Sequence, residues 1–194
     1  MSLIVAVKSK KKITMGCDSR VTCGSDLKMI REGDEEKIVK LANVYLGAAG
    51  VVSEIQILKS NPSWFDTGGK PLTKKFLVQN VIPRFYDTLV REKKFDSKDD
   101  TMDEPTCGAR FIVTDGKRAF LISRDLSVQE IGEECIIGCG CYFALPILKN
   151  ALKAGDPEAA ILEALRKTSH RYSGVAGPYV LVNTTDVTYE RIDS

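Results

Sequence analysis

The sequence predicts one α+β domain spanning residues 1–194, a four-layer sandwich of two antiparallel sheets flanked by helices. Two observations lead there. The predicted elements run strands, helices, strands, helices, strands, and grouped strands flanked by grouped helices fit stacked sheets with helices outside. The chain has 194 residues, 43% hydrophobic and 28% charged, which suits one globular domain with a large core.

The chain opens MSLIVAVKSKKKITMGCDSRVT. Residues 3–7 and 13–17 are apolar, partly β-branched runs joined by the basic turn 8–12, which predicts a β-hairpin beginning at the terminus. Chain ends usually fray, so a terminus woven into a sheet is either architecture or a place where the terminus does chemistry. Residues 18–34 are polar and broken by Gly24 and Gly33, predicting loop with short extended pieces. Residues 37–41 and 44–46 form a strand pair around Asn43. The small-residue turn 47–50 leads into a helix over 51–58 that stops near Asn61-Pro62. Residues 72–95 carry the strongest helical period, with Leu77, Val78, Val81, Ile82, Phe85 and Leu89 on one face and Pro83 expected to kink or locally break it.

The segment DSKDDTMDEP reads as an exposed acidic loop, since an EF-hand would need an oxygen ligand at Lys98 and a glycine at Thr101. From Cys107 the pattern returns to strands over 109–114, 118–123, 127–131 and 135–138, with a tight turn at Asp115-Gly116. A mostly apolar helix follows over 141–154, carrying Pro146. Asp156-Pro157 supplies an N-cap and a first-turn proline for a helix reaching Tyr172. Strands 179–183 and 187–192 close the chain.

A net charge of +2 makes no bulk electrostatic case for nucleic acid or a membrane surface. No apolar run approaches the ~18 residues of a membrane span, and the first strand lacks signal-peptide features, which predicts a cytoplasmic protein. The six cysteines sit in or beside apolar runs, as small buried hydrophobes do in a reducing compartment. Paired zinc ligands are missing: only Cys139-Gly140-Cys141 comes close, beside a single histidine, so no metal and no cofactor are expected. Any Ser-His-Asp or Cys-His device would have to run through His170. The glycines at 47–50 lack the Lys-Ser/Thr of a phosphate loop, and Phe143 stands where a dinucleotide fingerprint needs its third glycine.

A nucleophile at a mature N-terminus needs a hydroxyl, its own α-amine as general base, and a lysine to favour the ionised hydroxyl. It also needs a carboxylate to hold that lysine, and a backbone N–H at a glycine to meet the oxyanion. Ser2, Asp18, Lys37 and Gly50 supply those parts in that order.

The whole chain resembles β-type subunits of the proteasome core particle and the related bacterial HslV peptidase, members of the N-terminal nucleophile (Ntn) hydrolases. SLIVAVK is similar to that family's opening threonine strand, GCDSRVTCG to its D-S-R-x-T-x-G segment, and EKIVKL to the strand bearing its lysine. GAAG resembles the turn before its first helix, IIGCGCYFA its glycine-serine-glycine helix entry, and HRYSGV its aspartate-x-x-serine-glycine segment.

The resemblance implies the Ntn-hydrolase fold and a threonine/serine-type endopeptidase working in the cytoplasm on peptide or unfolded polypeptide inside a homo-oligomeric ring, with an ATPase unfoldase as a further partner. It puts the nucleophile at Ser2, the orienting carboxylate at Asp18, the lysine at Lys37 with Lys40 as its neighbour, and the oxyanion amide at Gly50. It also puts a catalytic-site hydroxyl at Ser173, substrate main-chain pairing at Thr22, and supporting roles at Arg20, Cys139 and His170. Three positions depart from the family pattern: serine replaces threonine at 2, cysteine replaces serine at 139, and histidine replaces aspartate at 170. These departures keep two other readings open, a catalytically silent ring subunit and an Ntn amidase acting on small molecules. His170 reads as a buried structural residue, a substituted catalytic support or a surface residue. Lys37→Ala is expected to abolish turnover and leave the fold intact.

Overall fold

In β1 (Leu3–Lys8) five consecutive residues, Leu3 to Val7, are buried, although neighbouring strand side chains point to opposite faces. Such a strand needs apolar cover on both sides. Leu3, Val5 and Val7 share a core with Ala144, Leu148, Ile161 and Leu165 of two helices. Ile4 and Ala6 share another with Tyr45, Ala49 and Ile112 of a second sheet. The computed structural model describes residues 2–10, 12–23, 26–29, 36–91, 106–184 and 188–192, and these stack as helices, sheet, sheet, helices.

The first sheet has the order β10 (Glu134–Gly138), β1, β2 (Ile13–Asp18), β11 (Tyr179–Asn183), β12 (Thr188–Ile192). The second has the order β5 (Ile38–Leu41), β6 (Val44–Ala49), β7 (Arg110–Thr114), β8 (Ala119–Ile122), β9 (Val128–Glu130). Both are antiparallel throughout. Polar residues 18–34 contain a separate antiparallel ribbon, β3 (Arg20–Cys23) with β4 (Asp26–Met29), so the short extended pieces expected there pair with each other.

Helices α1 (Val52–Lys59), α2 (Lys74–Phe76) and α3 (Ile82–Arg91) lie on the second sheet. There Leu58, Phe85 and Leu89 pack with Leu46, Phe111 and Val113, and Phe85 meets Phe111 edge-on at 5.6 Å between centroids. Helices α4 (Cys141–Ala151) and α5 (Pro157–Ser169) cover the first sheet. The α5 cap is as the sequence predicts: Asp156 accepts hydrogen bonds from the N–H groups of Glu158 and Ala159 at 3.0 and 3.1 Å. Its buried residues, Ala160, Ile161, Ala164, Leu165 and Thr168, recur at helical spacing along one stripe.

Several boundaries differ from expectation for identifiable reasons. Gly47, Ala48 and Ala49 continue β6 opposite Ile112, Phe111 and Arg110, so the predicted turn 47–50 shrinks to Gly50. Between α2 and α3 the chain makes a π-helical turn, Leu77–Val81, which is the local break of the α-helix expected near Pro83. Pro83 has no N–H for the carbonyl of Gln79, and the wider turn absorbs the mismatch. That turn also leaves Val78 exposed, off the face assigned to it. Helix α5 ends at Ser169, before Tyr172. Residues 92–95 of the long predicted helix and the acidic segment 96–105 lie outside the described residues. No helix among the described residues is long and apolar enough to cross a membrane.

Candidate active site

Asp18 ends β2 and is fully buried, at 0% exposure. Its Oδ1 accepts hydrogen bonds from Lys37 Nζ at 2.6 Å and from the Leu3 N–H at 2.8 Å. Its Oδ2 accepts from the N–H of Arg20 at 3.1 Å and of Ala176 at 3.5 Å. Lys37 stands just before β5 with its side chain 5% exposed, and gives a second bond to the Arg20 carbonyl at 2.6 Å. Burying a lone charge would be strongly unfavourable, but here the carboxylate is met by several donors and the ammonium by two oxygens. Leu3 directly follows Ser2, so its N–H ties the ion pair to the peptide of the candidate nucleophile.

Ser2 is held from its other side by the turn into α4. Its carbonyl accepts from the Cys139 N–H at 3.0 Å, with Cys139 Sγ at 3.5 Å. Gly138 makes this approach possible. It has φ +105, and a Cβ there would overlap the Ser2 carbonyl oxygen and stand 2.7 Å from the carbonyl carbon. Tyr172 hydrogen-bonds Cys139; that bond first, and burial second, push its hydroxyl above the usual phenol range.

Gly50 is the bend between β6 and α1, with φ +137. A Cβ there would overlap Ala109 Cα and the Gly108 carbonyl oxygen, so only glycine lets this backbone lean on the start of β7. Gly108 is pinned in turn: its N–H donates to Glu54 Oε1 at 2.9 Å, and Glu54, on α1, is buried. Ser2 and Gly50 both line one pocket of about 370 Å³, together with Gly108, Cys139, Arg110 and Arg124. The structure thus brings Ser2 and Gly50 to one cavity and the Asp18–Lys37 pair against the adjacent Leu3 N–H.

Sequence reasoning missed Glu54, Gly108, Arg110 and Arg124, and took Gly138 only as part of a motif. A glutamate beside Ile55 on the buried side of a short apolar helix was the one available signal. The remaining sequence-predicted residues are more dispersed. Thr22 lies in β3 opposite Leu27 of β4, and the neighbouring β3 residues Arg20 and Val21 do not line the pocket. Ser173 is exposed, and its carbonyl accepts from the Arg20 guanidinium, which ties the ribbon to the segment after α5. His170 caps the C-terminus of α5 and is exposed. It is therefore no buried core histidine, and it does not line the pocket. Lys40 is exposed, 5.9 Å above the Tyr45 ring.

Burial pushes the Cys17 thiol up to about 12 and those of Cys107 and Cys135 up to about 11. These thiols stay protonated near neutral pH and act as packing groups. Among the described residues no three His, Cys, Asp or Glu side chains gather as a metal site requires.

No protein-family model matches the chain, and no curated protein matches it in sequence. Solved structures do match in three dimensions. BPH from Thiobacillus denitrificans in complex with epoxomicin superposes with a TM-score of 0.72 at 15% identity, covering 99% of this chain and 100% of that one. Anbu, an ancestral β-subunit, from Yersinia bercovieri gives 0.70 at 15% identity over 99% of this chain and 87% of that one. A Gly-1 mutant of Anbu from Hyphomicrobium sp. strain MC1 gives 0.72 at 17% identity, covering 100% and 88%. At such identities the likeness shows the fold alone, the four-layer sandwich of two antiparallel sheets between helices.

Proposed function

We propose that the chain is a proteasome-like N-terminal nucleophile hydrolase that cleaves peptide bonds with Ser2 after removal of Met1. The observation that carries this reading is the convergence of Ser2 and Gly50 on one pocket, with the buried Asp18–Lys37 pair bonded to the next peptide N–H. In the mechanism, the freed α-amine of Ser2 takes the hydroxyl proton as Oγ attacks the substrate carbonyl. Lys37, held charged by Asp18, favours the developing alkoxide, and the Gly50 N–H meets the oxyanion. Collapse expels the leaving amine, which receives the proton, and leaves an ester on Ser2. The α-amine of Ser2, neutral again, then deprotonates a water that hydrolyses the ester and restores the hydroxyl.

Substrate main chain adds to β3 around Thr22, a mode that works through backbone hydrogen bonds and suits unfolded polypeptide. Arg20, bonded to the Ser173 carbonyl, steadies that ribbon, while Cys139 seats the Ser2 carbonyl. His170, exposed beyond α5, takes no catalytic part in this scheme. The working particle is a cytoplasmic homo-oligomeric ring fed by an ATPase unfoldase. Exposed apolar residues support assembly: Tyr142, 87% exposed, with Phe143 and Leu145 on α4, and Tyr86 and Val90 on α3.

The test combines three measurements on protein from which Met1 has been trimmed. Turnover of a fluorogenic peptide is expected, with an epoxomicin adduct of one per chain by intact mass. Light scattering is expected to give a closed multiple of 21.4 kDa. Equal activity in protein that retains Met1 would sink the terminal-amine mechanism. Assembly without turnover or adduct would select the silent ring subunit, and a 21.4 kDa monomer that turns over only small amides would select the amidase.

A further inference from the structure

Two arginines reach the pocket that holds Ser2 and Gly50. Arg110 begins β7 opposite Ala49, the neighbour of Gly50. Arg124 follows β8, and its carbonyl accepts from the Cys107 N–H at 2.8 Å, which fixes its backbone beside Gly108. Phe111 pairs with Ile122, so both arginines stand at the same end of the β7–β8 hairpin. Both are exposed, and among the described residues neither makes an ion pair or side-chain hydrogen bond.

Across the pocket, Cys141 and Tyr142 open α4, an 11-residue helix whose N-cap, Gly140, offers no side-chain cap. The positive end of that helix therefore faces the same space. Among the described lining residues there is no aspartate or glutamate to neutralise it. Two unpaired guanidinium groups lining one pocket make it strongly positive, and a planar anion that accepts from both offsets that charge.

We propose that this pocket is a carboxylate subsite, in which Arg110 and Arg124 bind a substrate carboxylate on the leaving-group side of the cleaved amide. The carboxylate is either an acidic side chain or the free C-terminus of the peptide. The side follows from the peptidase reading on which the proposal rests: acyl residues pair with β3, and Arg20 and Val21, the β3 residues whose side chains are described, do not line this pocket.

The test uses uncleavable reduced-amide peptides and the full chain without Met1, titrated by calorimetry. One pair differs by Asp against Asn on the leaving-group side; the other differs by a C-terminal acid against an amide. One pair is expected to show a preference for the charged member of about 10-fold, the low end for a charge-assisted hydrogen bond at an exposed site. The pair that shows it identifies the source of the carboxylate. Arg110→Gln with Arg124→Gln should abolish the preference, double lysine replacement should retain part of it, and added salt should weaken it.

Equal affinity within both pairs, or no binding, overturns the subsite, as does a preference that survives the double glutamine variant. Preference without turnover of the cleavable peptides keeps the subsite and removes the peptidase. Turnover without preference does the reverse.

Discussion

Lys37 and the pair Arg110–Arg124 both bring positive charge close to Ser2, yet the molecule treats them in opposite ways. Lys37 is 5% exposed and already bonded to Asp18 and the Arg20 carbonyl before any substrate arrives. The arginines are exposed and unpaired among the described residues. A buried pair cannot leave its partner without stranding a charge in a low-dielectric interior, so it acts by holding one geometry. An exposed, unpaired cation contributes little to stability and is free to be satisfied by a ligand. In the proposed mechanism the first region positions chemistry, and in the proposed subsite the second recognises substrate.

The largest effect should come from breaking the buried side. Lys37→Ala is expected to lower peptide turnover at least ~100-fold, the scale of a removed electrostatic partner. It should also destabilise the fold by about 3 kcal/mol, because Asp18 is left buried without a counter-charge. The sequence alone suggested that this change would spare the fold; the 0% exposure of Asp18 corrects that. Urea denaturation beside steady-state rates measures both effects. Removing the two charges together, Asp18→Asn with Lys37→Met, should recover part of the stability and none of the turnover.

Gly138→Ala attacks the opposite wall of the Ser2 seat. A methyl group at φ +105 overlaps the Ser2 carbonyl, so Ser2 must shift. Turnover should fall about 100-fold, since small misplacements of reacting groups are that expensive, with a stability loss of about 1–3 kcal/mol. Wild-type turnover in folded Gly138→Ala would show that the Ser2 backbone need not sit where Cys139 holds it.

Cys17 sharpens the comparison from the buried side. Burial raises its thiol from 9.0 to about 12, so the folded state keeps a proton that the unfolded chain releases. Its stabilising contribution is fully present below pH 9 and is lost as pH rises through the window between 9.0 and about 12. About 1 kcal/mol should be gone by pH 10, because a tenfold difference in proton affinity corresponds to about 1.4 kcal/mol. Cys17→Ala should flatten that part of the pH–stability curve in chemical denaturation. An unchanged slope would mean that the thiol titrates alike in both states.

The smallest effect belongs to the exposed side. Arg110→Gln should change stability by no more than about 0.5 kcal/mol, as surface substitutions do. Thermal melting checks this, and a loss comparable to that of Lys37→Ala would erase the distinction between the two regions.

Much of this fold is local and was therefore legible. The continuous apolar runs of β1 and β2 state that both faces of that sheet are covered. Asp156-Pro157 marks the start of α5, and the spacing of its apolar residues marks the face it buries. The order Ser2, Asp18, Lys37, Gly50 carried the idea of a terminal nucleophile, because that chemistry requires those residue types. Helix ends and turns were less legible: a strand and a turn both accept Gly47-Ala48-Ala49, and only pairing with β7 decides for the strand.

The site itself was decided by contacts between residues far apart in the chain. Leu3 meets Asp18 because β1 and β2 pair in one register. Cys139 meets Ser2 because β10 pairs with β1 so that Gly138 stands opposite Leu3. Glu54 holds Gly108, and the arginines reach the pocket, because β6 and β7 align Ala49 with Arg110. Periodicity in a sequence records which face of an element is dry, since burial follows the local repeat of a helix or strand. It carries no record of which distant backbone N–H will lie within hydrogen-bond reach of a given carboxylate, because that depends on strand register and layer stacking, which the whole core sets at once.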